Sequence, residues 1–173
     1  MSTPPFAPVT ERDIRIVSLQ LGRPARDVIG IAARCVCGNP TVVSTKPRLA
    51  DGTPFPTLYY LCHPAATAAI STLEANGVMA EFTEMLAADE SLRAHYLEAH
   101  EAYLADRESI EHVAEIDHVT AGGMPERVKC LHALAGHALA AGPVVNPFGD
   151  LALERAAWDP ATCSCIDYDA DEA

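Results

Sequence analysis

The sequence has no apolar run that approaches the length of a membrane span, and its first residues lack the basic-then-apolar pattern of a signal peptide. Together these two absences predict a cytoplasmic protein with no membrane partner. Thiols stay reduced in the cytoplasm, so we do not expect the six cysteines to form a disulfide framework.

Basic residues are scarce in most of the chain. The sequence has 12 Lys and Arg against 24 Asp and Glu, for a net charge of −12. Seven of the basic residues fall within residues 1–48, and the remaining 125 residues hold five bases against 21 acids. An acidic chain is a poor nucleic-acid ligand, so we expect no nucleic-acid partner. The basic front part is expected to pack against the acidic remainder of its own fold, or to bind a small anion.

Several signatures of enzymes are also missing. The sequence has no internal repeat, no glycine-rich nucleotide loop, no serine in a nucleophile elbow and no paired-carboxylate motif. These absences leave open whether the protein is an enzyme. They direct attention to its cysteines, histidines and few basic residues.

The length predicts one domain with extensions at both ends. Residues 1–9 carry three prolines and are expected to form a flexible N-terminal arm. From Asp159 onward the chain has five acids and no base, which predicts a disordered acidic tail over residues 159–173. The single domain is therefore expected to span residues 10–158.

Apolar patterning within this domain favours strands first and helices afterwards. A short helix from Thr10 to Gly22, with Asp13 completing its N-terminal cap, precedes three predicted strands. The strands are expected over 28–33, 41–45 and 57–62, and the helices that follow over 64–75, 78–87, 89–113, 125–141 and 146–158. This order predicts an α+β fold, with a small antiparallel three-stranded sheet in the N-terminal third packed by about five helices.

The stretch 121–142 combines a predicted helix start with clustered cations. Pro125 suits a first helical position, which places Arg127 and Lys129 in the first turn, where the helix dipole disfavours positive charge. A phosphate-like anion bound there, with Arg48 as a second arm, would explain the cations and would indicate an enzyme or a sensor. The alternative is that Glu126 and other carboxylates neutralise them.

The cysteines suggest a metal site. Cys35 and Cys37 flank a turn and could direct both thiolates to one ion, although the usual zinc spacing is wider. Cys62, followed by His63, and Cys130 could complete the ligand set Cys35, Cys37, Cys62 and Cys130, for zinc or an iron–sulfur cluster. The alternative is that these cysteines are small buried apolar side chains. Cys163 and Cys165 lie in the predicted tail and are assigned no role.

Helical geometry limits which partners Cys130 can have. In a helix over 125–141, Cys130 and His132 are about 200° apart and would not face one ion. Near a helix start and beside Arg127, a Cys130 thiolate would be stabilised, so Cys130 is also a candidate reactive cysteine.

The long helix predicted over 89–113 carries many acids and three of the histidines. Glu108 and His112 are four residues apart on one face, which permits a carboxylate–imidazole site. Alternatively the acidic face is simply solvated, or it is presented to a protein partner.

Four segments, CVCGNP (35–40), DGTPFPTLYYL (51–61), AGGMPERVKCLH (121–132) and NPFGD (146–150), resemble a known family. It is the bacterial family called domain of unknown function 501. The resemblance implies a small cytoplasmic bacterial protein with no established activity, and it supplies no catalytic residue.

Overall fold

A computed structural model describes residues 6–169, in which a three-stranded antiparallel sheet lies between helices. The elements, in chain order, are α1 (Glu11–Leu21), β1 (Val28–Arg34), β2 (Pro40–Thr45), β3 (Tyr59–Leu61), α2 (Pro64–Ala75), α3 (Val78–Ala88), α4 (Glu90–Glu108), a 3₁₀ turn (Ala114–Ile116), α5 (Leu131–Ala141) and α6 (Pro147–Arg155). This architecture confirms the predicted α+β class. No helix within residues 6–169 is both long and apolar enough to span a membrane.

The caps of several helices are those that the sequence predicts. Thr10 accepts a hydrogen bond from the Asp13 backbone N–H, and the Asp13 carboxylate accepts one from the Thr10 backbone N–H. Gly22 ends α1 in the left-handed conformation, which glycine adopts at little cost. The Asp89 carboxylate caps α4 by accepting from the Leu92 N–H at 3.0 Å.

Both faces of the sheet are buried. Its strands lie in the order β1-β2-β3, and Val43 of the central strand pairs with Ile31 and Tyr60. Because successive strand residues point to opposite faces, Val42 enters the main core with the later helices, whereas Val43 packs in a smaller core with Val17 of α1. The sheet is therefore the middle layer of the fold.

Helix α5 lies in the centre of the main core. Leu131, Leu134 and Ala135 are fully buried, and the helix packs on β3 and α6. At Gly136 the helix approaches β3 so closely that an added Cβ would lie 3.2 Å from the Tyr59 carbonyl oxygen.

The start of α5 differs from the prediction. The helix begins at Leu131, so the placement of Pro125 at its first position, and of Arg127 and Lys129 in its first turn, was wrong. Gly122 and Gly123 have left-handed φ angles of 75° and 91°. The chain then bonds to itself as a closed loop, because the Lys129 N–H donates to the Gly122 carbonyl and the Arg127 N–H to the Gly123 carbonyl.

Helix α4 also ends earlier than the predicted Val113, at Glu108. The guanidinium of Arg107 is fully buried and donates to the carbonyls of Ile116, at 2.5 Å, and Val119. These bonds need the chain to fold back over the end of α4 instead of continuing as a helix. Val113 still reaches the core, from the returning segment.

The ends of the described chain lie against the first strands. Ala7 exchanges two backbone hydrogen bonds with Ile31, each 2.9 Å long. At the other end Tyr168 is buried, and residues 159–169, within the predicted disordered tail, follow an irregular path of turns. The rest of the predicted arm, residues 1–5, and of the predicted tail, residues 170–173, falls outside the described residues.

Candidate metal centre

Four thiols from the two ends of the chain converge on one point. The sulfur atoms of Cys35, Cys37, Cys163 and Cys165, hereafter the thiol tetrad, all lie within 4.8 Å of one another. The first pair lies in the turn between β1 and β2, and the second pair lies in the C-terminal segment. Each pair has one residue between its cysteines, so each presents two thiols from a single turn of chain.

The turn after β1 is closed by its own backbone. The Cys35 N–H donates to the Asn39 carbonyl at 2.9 Å, and the Gly38 N–H donates to the Cys35 carbonyl at 2.8 Å. Gly38 has a φ of 89°, which a residue with a Cβ adopts only under strain. The turn leaves Cys35 buried and Cys37 exposed, with both thiols toward the C-terminal segment.

Basic residues of α1 hold the C-terminal segment in place. Arg15 donates to the Tyr168 carbonyl at 2.8 Å and to the Asp169 carboxylate at 2.7 Å. Arg12 donates to the same carboxylate and also to the side-chain oxygen of Asn39 in the turn. Helix α1 thus aligns the two pairs of cysteines.

His63 contacts the tetrad from the end of β3. Its Nδ1 accepts a hydrogen bond from the Ala66 N–H at 3.3 Å, as the N-cap of α2. Nδ1 is then the unprotonated nitrogen of a neutral ring, so Nε2 carries the proton and donates it to the Cys165 sulfur, 3.2 Å away. Burial favours this neutral form, since it lowers the pKa of His63.

Within the tetrad, the pKa of the Cys37 thiol is lowered and that of the Cys165 thiol is raised. Desolvation of Cys37 acts to raise its pKa, but hydrogen bonds from the Asn39 N–H and from the other three thiols outweigh it and lower the pKa of Cys37 to about 7. At Cys165, desolvation and then the hydrogen bond with Cys37 raise the pKa to about 12. Thiolates are the metal-binding form of cysteine, so a cation entering the tetrad would find its first ligand ionised near neutral pH.

The spacing of the sulfurs suits a single ion. Thiolates bound at about 2.3 Å around a tetrahedral zinc ion lie about 3.8 Å apart, and that separation falls within the 4.8 Å that bounds the sulfur distances here. Four cysteines would fill a tetrahedral coordination sphere and leave no position for a substrate. The N–H of His63 resembles the outer-shell donors that orient metal ligands.

Cys62 and Cys130, the other two sequence-predicted ligands, lie elsewhere. Cys62 is buried in the smaller core beneath α1, where desolvation raises the pKa of its thiol to about 12. Cys130 is the N-cap of α5 and clusters with Glu74 and His132, with donor atoms within 4.8 Å of one another. Its hydrogen bond is the largest of the influences that raise the pKa of His132 to about 9.

The prediction that Cys130 and His132 would not face one ion was therefore wrong. It placed both residues inside a helix, but Cys130 has an extended backbone, with φ −150° and ψ 109°. Residues that flank a helix boundary do not follow the 100° rotation of helical neighbours, so the two side chains can meet.

The three predicted anion-binding residues are not gathered at the start of α5. Arg127 and Lys129 lie in the loop before the helix and line a surface depression with Glu84. Arg48 forms an ion pair with Glu115 at 2.7 Å. At the start of α5 itself, the Leu131 N–H donates to the Glu74 carboxylate at 2.7 Å.

The pair predicted on the acidic helix is formed. His112 Nδ1 lies 2.7 Å from a Glu108 carboxylate oxygen and 3.5 Å from Asp117. The hydrogen bond with Glu108 raises the pKa of His112. The side chain of His112 is exposed, as expected of a solvated acidic face.

The sequence reasoning missed Cys163 and Cys165 because their acidic surroundings predict disorder. A usable signal was present, since Cys163-Ser164-Cys165 repeats the spacing of Cys35-Val36-Cys37. Two such pairs make a complete set of four thiolates.

The fold and the tetrad define a small α+β protein with a four-cysteine candidate metal centre. The chain belongs to the family described as "Protein of unknown function (DUF501)", whose model matches residues 31–154. The match includes Cys35 and Cys37 but ends before Cys163. No curated protein and no solved structure matches the chain.

Proposed function

We propose that this protein holds one zinc ion in the thiol tetrad, and that the ion fastens the C-terminal segment to the turn between β1 and β2. The convergence of four sulfurs from opposite ends of the chain within 4.8 Å carries the proposal. Zinc sites with four cysteine ligands are closed and structural. The proposed role is therefore metal binding that stabilises the fold.

Zinc fits the tetrad better than an iron–sulfur cluster. A two-iron cluster has cysteine ligands on two different metal atoms, so it separates them further than a single ion does. All four sulfurs here are within one-ion reach. Thiolate ligands suit zinc and iron–sulfur clusters alike, so the spacing of the sulfurs is what favours zinc.

The first test is the metal content of the freshly purified protein. We expect one tightly held zinc ion that is lost on Cys37→Ser or Cys163→Ser. Cys62→Ala is the matched control, because it removes a buried cysteine outside the tetrad and should leave this zinc in place. Loss of zinc in Cys62→Ala, with retention in Cys163→Ser, would instead support the ligand set expected from sequence.

The second measurement is thermal stability. Binding of a structural metal ion contributes directly to the free energy of folding, so removal of zinc by a chelator should lower the melting temperature of the wild-type protein. The same chelator should have little effect on Cys163→Ser. Wild-type protein that melts equally high with and without metal would contradict the proposed role.

Two alternatives from the sequence remain predictions. Arg127 and Lys129 share a surface depression, which keeps a phosphate-like anion possible there as a ligand of an enzyme or sensor. A protein partner on the acidic face of α4 is the second alternative. Neither has support comparable to the convergence of the tetrad.

A further inference from the structure

A second cluster of metal-binding side chains lies at the start of α5, apart from the tetrad. It consists of Glu74 from α2, Cys130 and His132, hereafter the α5 triad, with one donor atom from each residue within 4.8 Å of the others. The three donors are a carboxylate, a thiol and an imidazole. None of them belongs to the tetrad, so metal binding at the α5 triad does not depend on metal binding at the tetrad.

The spacing between the best-defined pair of donors matches one ion. His132 Nδ1 lies 3.2 Å from the Glu74 carboxylate oxygen Oε1. Nitrogen and oxygen ligands bound at about 2.0–2.1 Å around a tetrahedral zinc ion lie about 3.3 Å apart. The pair therefore needs little movement to share a cation.

The outer nitrogen of His132 is held as it is in metal sites. Nε2 lies 3.2 Å from the Thr67 carbonyl oxygen, which can only accept, so Nε2 carries a proton. Nδ1 faces Glu74 and Cys130, and because the pKa of His132 is raised, an ion that binds there must displace the Nδ1 proton. Metal-binding histidines usually donate their second N–H to such a carbonyl or to a carboxylate. Ser71 lies 3.1 Å from the same nitrogen and adds a second partner.

Glu74 is oriented in a similar way. Its Oε1 atom accepts a hydrogen bond from the Leu131 N–H at 2.7 Å, which fixes the carboxylate beside the thiol of Cys130. Cys130 makes no capping hydrogen bond of its own, so its sulfur remains available as a ligand. Both the carboxylate and the imidazole are thus positioned by backbone groups before any ion arrives.

The triad opens onto a cleft. Cys130 and His132 line it together with residues of β3 and α2, including Tyr60, Leu61 and Thr67. The side chains of Glu74 and His132 are 23% and 25% exposed, so water can reach the cluster. Three protein ligands with an open fourth position are the arrangement of catalytic zinc sites.

We propose that Glu74, Cys130 and His132 bind a second zinc ion, with a fourth coordination position that opens onto the cleft beside β3. A water molecule or an oxygen donor from a small ligand would occupy that position. The inference assigns this chain two zinc sites of different kinds, one closed and one open.

Zinc binding to the full-length chain, stripped of metal and kept reduced, tests this inference. Equilibrium dialysis should give two zinc ions per chain. Glu74→Gln and His132→Gln should each weaken one of them at least about 100-fold, which is the upper end of the loss seen for outer-shell partners. Glu74→Gln keeps an amide oxygen that can accept from the Leu131 N–H. Any loss of zinc in this variant therefore reports the loss of the carboxylate ligand and not of the hydrogen bond at the start of α5.

The control is the exposed cluster of Glu108, His112 and Asp117, which has similar donor spacing but no thiol. His112→Gln should leave both zinc ions bound. In the double variant Cys163→Ser/Cys165→Ser one zinc ion should remain, and addition of His132→Gln should remove it. If the tetrad binds no zinc but the α5 triad does, wild type should bind one zinc ion, and His132→Gln should bind none.

Alkylation of Cys130 by iodoacetamide, followed by mass spectrometry, gives a second readout. Zinc should slow this reaction in wild type and in Cys163→Ser/Cys165→Ser. Two results together would overturn the inference. The number of zinc ions bound per chain would be the same in Glu74→Gln and His132→Gln as in wild type, and Cys130 would be alkylated equally fast with and without zinc. That result would mark Cys130 as a free thiol beside an imidazole.

Discussion

At the residue scale, His137 is an ionisable group held in the core. It is fully buried, with Tyr59 stacked on its ring and Tyr103 against it edge-on. The Asn146 amide donates to its Nδ1, so Nε2 carries the proton and has no partner among residues 6–169. Burial lowers the pKa of His137 to about 4.

This lowered pKa predicts acid sensitivity. Between about pH 6.5 and pH 4 the unfolded chain binds a proton at this residue and the folded chain does not. The free energy of unfolding should therefore be at its full value above pH 6.5 and fall as the pH drops, by up to about 1.4 kcal/mol per pH unit. Urea unfolding at pH 7.0, 6.0, 5.0 and 4.5 measures this slope.

His137→Gln should flatten that slope whatever its effect on stability at pH 7. His112→Gln should not flatten it, because His112 is exposed and its pKa is raised. Burial also lowers the pKa values of His63 and His100, so these residues contribute to the slope in the same direction. The stability of His137→Gln should therefore keep some dependence on pH. An unchanged slope in His137→Gln would assign the acid response to other groups.

At the element scale, two glycines allow close contacts between α5 and its neighbours, Gly149 with α6 and Gly136 with β3. Gly149 of α6 lies on α5, where an added Cβ would collide with the Leu134 carbonyl and lie 2.7 Å from the Ala138 Cβ. Gly136 faces β3 with more room, since its Cβ would meet the Tyr59 carbonyl oxygen at 3.2 Å. Both glycines are helical, so alanine is otherwise favoured at each by about 1 kcal/mol.

We expect Gly149→Ala to destabilise the fold, because the collision forces α6 away from α5. Overpacking of this kind costs about 1–3 kcal/mol, more than the helix propensity that alanine adds. Gly136→Ala is the matched comparison and should change the free energy of unfolding by less. Chemical denaturation of both variants measures the difference, and equal effects would show that the α5–α6 contact adapts.

At the scale of the whole molecule, the C-terminal segment is held by two kinds of interaction. The acidic end is paired with the basic front of the chain, through Arg12 and Arg15 on Asp169. These side chains are between 33% and 46% exposed, so the ion pairs are expected to contribute little to stability and to weaken with salt. The proposed zinc ion in the tetrad is expected to contribute more.

Hydrogen exchange of residues 159–169 distinguishes the two contributions. Chelation should speed the exchange of this segment at least about tenfold, whereas 1 M NaCl, with zinc retained, should speed it less. Asp169→Asn, which removes the ion pairs but no thiol, should behave like high salt. If salt speeds the exchange of residues 159–169 as much as chelation does, the ion pairs alone hold this segment in place.

Interactions between near neighbours in the chain made much of the fold predictable. The caps at Thr10, Asp89 and Asn146 are short-range contacts between a side chain and an N–H three residues later, so the residue types alone predict them. The three strands and the α+β class follow from apolar patterning in the same way. The Glu108–His112 pair was also predicted, but α4 ends at Glu108, so helical spacing is not what joins the two side chains.

The tertiary structure decided which side chains form the candidate metal clusters. Nothing local joins Cys35 and Cys37 to Cys163 and Cys165, since only the packing of the C-terminal segment on α1 brings them together. Cys130 meets His132 because the loop before α5 bonds to itself and delays the helix to Leu131. The sequence by itself determined the elements and which side chains could bind a metal ion. Long-range packing determined which of them meet, because their proximity depends on contacts that no neighbouring residue specifies.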